Sequence, residues 1–205
     1  FSGVPVPAPS APLLTGETLW ELVRAHRAEG NTATLLTTIV DDPTGYGRIV
    51  REAGEVARIV EQRDASDDER QITAINAGIY VFDAETLRAG IAALSTDNAQ
   101  GELYLTDVIA FARSRAGRVG GTVLTDSLQA EGVNDRVQLA TLSAELNRRI
   151  LRRWMIEGVT VLDPATTWVH DSVDLAADVT LLPGTSLEGA TSVATGATIG
   201  PDTTL

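Results

Sequence analysis

Neither cysteine nor lysine occurs among the 205 residues. Without cysteine there is no disulfide framework and no thiolate metal site. Without lysine there is no Schiff-base chemistry and no phosphate loop of the GxxxxGK[ST] type. Every one of the 16 basic residues is an arginine; 28 acidic residues outweigh them, for a net charge of −12. Such a surface repels a phosphate backbone, so no nucleic-acid partner is expected. A phosphorylated small molecule stays open where a divalent cation bridges acidic protein to acidic ligand. No apolar run approaches the roughly 20 residues needed to cross a bilayer, and no basic-then-apolar leader opens the sequence. The expectation is a cytoplasmic protein with no membrane partner.

What is present reads as ordinary globular protein, with 43% hydrophobic residues and a mean hydropathy of +0.04. After the coil-like "FSGVPVPAPSAP", Leu19, Leu22, Val23 and His26 recur at helical spacing behind Thr15 as N-cap. "TATLLTTIV" reads as a largely buried strand, residues 47–62 as a hairpin turning near Ala53 and Gly54, and "AINAGIYVF" as another strand. Helical patterns follow at 84–94 and 102–115, then a weaker strand at "GGTVLT". Strands alternating with helices predict an α/β domain.

From about residue 136 the pattern changes. Leu139, Leu142, Leu146, Ile150 and Trp154 predict one long amphipathic helix that Gly158 ends. Arg148, Arg149, Arg152 and Arg153 fall in its last turns, where positive charge complements the helix dipole, and are assigned no ligand. Beyond it every sixth residue is aliphatic: Val169, Leu175, Leu181, Leu187, Val193, Ile199 and Leu205. The positions two before Leu175 and its successors are all small or β-branched, from Val173 to Thr203. A period of six fits neither an α-helix nor a simple strand. It predicts a parallel β-helix of triangular section with all seven aliphatics pointing inward.

The stretch "DDPTGYGRI" packs a proline, two glycines and a tyrosine between two strand-like runs. Gly45 and Gly47 serve either as turn residues or as backbone that something approaches closely. Taken singly, Glu61 reads as a solvated charge at a strand end, and Asn76 and Asn134 as capping or turn residues. His26 and His170 have no second ligand at metal spacing and read as structural.

Taken in order, "DDPTGYGRI", "IVEQRDAS", "INAGIYVF", "DNAQGELYLTDVI", "EGVNDRVQLA", a linker helix and hexapeptide repeats resemble the bacterial bifunctional N-acetylglucosamine-1-phosphate uridyltransferase and glucosamine-1-phosphate acetyltransferase family, from about Leu13 to Leu205. The resemblance implies an α/β fold: a partial Rossmann-like nucleotidyltransferase domain, a long linker helix, then the start of a left-handed parallel β-helix. It implies an irregular or aberrant segment at 1–12, the C-terminal part of the uridyltransferase domain at 13–136, the linker helix at 137–158 and the first β-helix coils at 159–205.

The implied reaction joins UTP to N-acetylglucosamine 1-phosphate, giving UDP-N-acetylglucosamine and pyrophosphate. The sugar phosphate is itself the nucleophile, so no catalytic protein nucleophile is implied. The resemblance assigns backbone contact with the sugar to Gly47, hydrogen bonds from sugar hydroxyls to Glu61, sugar binding to Asn76, and both nucleotide-sugar contact and Mg²⁺ ligation to Asn134. Where the family usually has a second asparagine, this chain has Asp135. The family's glycine-rich loop and its Mg²⁺-binding Gly-Asp pair are not found here: "SGVPVPAPSAPLL" stands where the pair is expected. The expectations are therefore a fragment without activity of its own, residues 1–11 arising from a wrong start or frame, and acetyl-CoA binding and homotrimer formation confined to the full-length family; the alternatives are a related nucleotidyltransferase for another sugar 1-phosphate, or a non-catalytic sugar-nucleotide-binding or oligomerisation module.

Overall fold

The structure, a computed structural model, describes residues 11–133 and 135–205. The chain forms two compact units, Phe1–Val133 and Asn134–Leu205. The opening coil expected at 1–12 falls almost wholly outside the described residues.

In the first unit, helix α1 (Gly16–Glu29) starts where the Thr15 side chain accepts the Thr18 N–H at 3.2 Å, and stops at Gly30 in the left-handed region. Strand β1 (Ala33–Ile39) is buried on both faces, which is why its sequence is a nearly continuous apolar and threonine run rather than an alternating one. Strands β2 (Arg48–Glu52) and β3 (Glu55–Val60) form the expected hairpin, with Ala53 and Gly54 both at positive φ, as a tight two-residue turn requires. A short helix, α2 (Asp67–Arg70), is held by a reciprocal capping box between Ser66 and Glu69. Strand β4 (Ala74–Phe82) follows, then α3 (Ala84–Ala92), α4 (Asp107–Ser114), β5 (Val119–Leu124) and a 3₁₀ turn at Ser127–Ala130.

The five strands make one mixed sheet in the order β3-β2-β4-β1-β5, with β1 and β5 parallel and the other pairs antiparallel. Each face has its own core. Leu35, Ile49, Ile59 and Phe82 pack with Val108, Ile109 and Ala112 of α4; Leu36, Ala77 and Ile79 pack with Leu22 of α1. This helix-covered mixed sheet fits a Rossmann-like fold.

Two helix boundaries in this unit differ from the expectation. The helix predicted at 102–115 begins only at Asp107, because the residues before it have other partners. The Glu102 carbonyl is taken by the Asn98 side chain at 2.6 Å, and Thr106 turns its hydroxyl to Glu61 at 3.2 Å. The helix predicted at 84–94 ends at Ala92, where tighter turns close back on Gly90 and Ile91.

In the second unit, α5 (Arg136–Ile156) is capped by the Asp135 side chain, which accepts the Gln138 N–H at 2.8 Å. Seven two-residue strands follow: β6 (Thr160–Val161), β7 (Trp168–Val169), β8 (Asp174–Leu175), β9 (Thr180–Leu181), β10 (Ser186–Leu187), β11 (Ser192–Val193) and β12 (Thr198–Ile199). They pair only in parallel, as β7/β10, β8/β11, β6/β9 and β9/β12. In three of those pairs the partners stand eighteen positions apart, for example Val169 opposite Leu187. Val169, Leu175, Leu181, Leu187 and Val193 are buried in one core with Ile150, Leu151 and Trp154 of α5. Ile199 is partly buried and Leu205 is 51% exposed. The inward expectation thus holds for the first five of the seven aliphatics and not fully for the last two; Leu205 pairs through its backbone with Ser186 and Glu188.

Candidate functional site

Three of the four residues singled out in the sequence converge in the first unit, at the open end of the β2–β3 hairpin. Gly47 lies just before β2 and Glu61 just after β3. The hairpin register brings them face to face. Near the turn Arg51 opposes Val56, but an irregularity between Val50 and Arg51 shifts the pairing so that Arg48 opposes Val60. One position further out, Gly47 opposes Glu61. Without that shift Glu61 would stand opposite Tyr46, with its side chain on the other face.

Gly47 is buried, and a Cβ there would come within 2.9 Å of Ile59 Cγ2 and 3.3 and 3.4 Å of the two Glu61 carboxylate oxygens. The glycine is thus needed for the carboxylate to lie against the backbone. Gly45, by contrast, sits at φ +87° in open space and serves the turn. The Gly47 carbonyl accepts the Asn76 N–H at 2.9 Å, which ties β4 to the same point.

The Glu61 carboxylate is half-buried and accepts a hydrogen bond from the Thr106 hydroxyl at 3.2 Å. Burial raises its pKa above the ordinary glutamate value; the Thr106 bond opposes that shift, and the charges of Asp107 and Asp64 add to it. Asp107 is itself pushed up by burial, with Asp64 contributing. A desolvated carboxylate with few donors of its own is a strong acceptor for an incoming hydroxyl.

The Asn76 side chain is oriented from both ends, donating to the Tyr80 hydroxyl at 2.6 Å and accepting the Gly78 N–H at 3.0 Å. Burial raises the Tyr80 pKa and the charge of Glu61 adds to this, so the phenol stays protonated and available as a donor. Thr106, Asp107 and Tyr80 were not singled out from the sequence. Thr106 and Asp107 lie in the "GELYLTD" stretch, and Tyr80 is four positions after Asn76 on the same strand face.

Asn134 lies outside the described residues, so the structure does not place it; the neighbouring Asp135 is occupied as the cap of α5. Among the described residues no group of three or more His, Cys, Asp or Glu side chains could hold a metal ion. These residues do not by themselves fit a Mg²⁺ cage. Both histidines have structural partners: His26 Nδ1 meets Thr34 Oγ1 at 2.9 Å, and His170 Nδ1 accepts the Gly189 N–H at 3.1 Å.

A concavity of about 750 Å³ lies elsewhere, between α1 and the end of β4. Its walls are mainly apolar, from Leu19, Trp20, Val23 and Val81. A smaller one of about 320 Å³ borders Asp41, Asp42, Tyr46 and Glu131. Neither is lined by Gly47, Glu61 or Asn76, whose convergence makes the strand end the candidate site.

A helix-covered mixed sheet with a polar constellation at a strand end is an architecture suited to small phosphorylated ligands, and the chain belongs to the nucleotidyl transferase family, whose model matches residues 10–128. Within that class it is similar to proteins named bifunctional protein GlmU. The one from Paenarthrobacter aurescens (strain TC1) is 58% identical over 195 residues, covering 95% of this chain and 39% of that protein. The one from Cutibacterium acnes is 54% identical over 200 residues, covering 95% and 48%. The family resemblance read from the motifs is upheld, and the chain spans less than half the length of these two relatives. A crystal structure described as a glucose-1-phosphate thymidylyltransferase from Bacillus anthracis, in complex with sucrose, shares 20% identity with a TM-score of 0.46, covering 70% of this chain and 51% of that one.

Proposed function

We propose that the first unit carries the sugar-binding half of a nucleotidyltransferase site that takes N-acetylglucosamine 1-phosphate and UTP. In the reaction a phosphate oxygen of the sugar 1-phosphate attacks the α-phosphorus of UTP, pyrophosphate leaves, and UDP-N-acetylglucosamine forms. The observation carrying this reading is the desolvated Glu61 carboxylate held against Gly47 and beside Asn76. Glu61 accepts sugar hydroxyls, the Gly47 backbone leaves room for the ring, and Asn76 and Tyr80 line the same end of the sheet. The protein's part is positioning, which suits a chain with neither Cys nor Lys. The implied Mg²⁺ would be held by Asn134 together with phosphate oxygens of the ligand.

The second unit belongs to the same reading as the first coils of a left-handed parallel β-helix, supported by parallel pairing at eighteen-residue intervals and by its single aliphatic core. Acetyl-CoA-dependent acetylation of glucosamine 1-phosphate and homotrimer formation belong to the longer proteins. A cytoplasmic location accords with the finding that no described helix is long and apolar enough to cross a membrane.

Isothermal titration with UDP-N-acetylglucosamine tests the proposal, with UDP-glucose as comparator. Saturable binding that Glu61→Gln weakens by about tenfold or more is expected. Equal binding of both nucleotide sugars would sink the N-acetyl specificity, and no binding by the folded chain would sink the site.

A further inference from the structure

Arg48 is the largest fully buried side chain of the described residues, at 1% exposure, and it neighbours Gly47. A buried guanidinium is costly: an apolar side chain of similar volume commonly serves stability as well or better. Its presence is explained by what it holds. One terminal nitrogen donates to the Tyr46 carbonyl, and the other to Gln62 Oε1 at 2.6 Å. The same Gln62 oxygen accepts the Gly45 N–H at 3.2 Å. Its Nε has no partner, so the set is not simply the best way to satisfy a buried cation.

These bonds have a geometric consequence. The Tyr46 carbonyl and the Gly47 N–H belong to one planar peptide unit, so fixing the first fixes the direction of the second. The Gly47 carbonyl is fixed independently by Asn76. Gln62 follows Glu61 directly, so the glycine loop is tied to the strand end that bears the carboxylate.

We propose that Arg48, acting through Gln62 and the Tyr46 carbonyl, is a positioning residue that holds Gly47 in register with Glu61 for sugar recognition; this rests on the sugar-site reading above. It touches no substrate. The clamp sets the separation between two groups that must contact the sugar together.

The test combines titration with UDP-N-acetylglucosamine and amide hydrogen exchange at Gly45, whose N–H reports the clamp without any ligand. Arg48→Met is expected to speed Gly45 exchange and to weaken binding about tenfold. Gln62→Leu should do the same, and it carries the test if Arg48→Met does not fold. Gln62→Glu keeps an acceptor for both donors and is expected to restore exchange and affinity to within about threefold of wild type. The double variant Arg48→Met/Gln62→Leu should bind no more than about twofold more weakly than either single one, as members of one unit do. Folded Arg48→Met and Gln62→Leu chains with unchanged affinity, while Glu61→Gln loses binding, would overturn the proposal. Failure of the wild-type chain to bind would overturn the sugar-site reading and the sugar role of Arg48 with it; Gly45 exchange then still decides whether the clamp exists.

Discussion

At the scale of single residues, Glu61 sets function against stability. Its pKa is raised, so the folded chain binds the proton more tightly than the unfolded one. Stability therefore rises as pH falls from the raised value toward the ordinary glutamate value of 4.5. Ligand acceptance needs the charged form and moves the opposite way. UDP-N-acetylglucosamine affinity is expected to drop, on acidification, at a pH above that of an ordinary glutamate, while Glu61→Gln shows no such step and melts higher than wild type at pH 7. Titration across pH and thermal melts check the two halves separately. Gly47→Ala meets Ile59 at 2.9 Å and is expected to cost roughly 1–3 kcal/mol in denaturant unfolding, as overpacked sites do. The residue types of this site were legible in the sequence, since glycine, glutamate and asparagine stand in recognisable motifs. Their meeting was not, because it depends on the register shift between Val50 and Arg51, which no local pattern of "RIVREAGEVARIV" announces.

Among the elements, α5 shows how a helix is fastened to the coils that follow it. Asn147 is buried; its side chain donates to the Thr167 carbonyl at 2.8 Å and accepts the Val169 N–H at 3.0 Å. Asn147→Leu leaves both backbone groups unpaired and is expected to destabilise the second unit by roughly 1–3 kcal/mol for each, read by denaturant unfolding. On the same helix Glu145 accepts from Arg148 and Arg149, and these bonds hold its pKa down to about 2. A depressed carboxylate stabilises the fold above its unfolded value of 4.5, and the contribution fades as pH falls from there toward 2. Glu145→Gln should therefore melt below wild type at pH 7 and close to it near pH 2. Helix and strand identities were readable wherever a cap or a period declared them: Thr15, the apolar run of β1, the six-residue repeat. The first turn of α4 was misread because the apolar spacing of "ELYLTDVIAFA" continues upstream of Asp107, while the Asn98 side chain holds the backbone there in a loop.

For the molecule as a whole, the two units carry separate cores, one built on the faces of the mixed sheet and one inside the parallel coils. Leu181 is fully buried in the latter. Leu181→Ala is expected to cost about 2–5 kcal/mol there, as cavity-forming core truncations do, and native-state hydrogen exchange at the amides of Thr180 and Leu182 reads the loss. Among the paired strands of the second unit most partners stand eighteen positions away, so strand pairing runs between one coil and the next. On the β-helix reading proposed above, such a stack has no preferred number of layers written into any one of them. Duplication or excision of eighteen residues is thus the smallest change in chain length that leaves every remaining side chain facing as before, and it gives evolution, or a protein engineer, a ruler marked in whole coils.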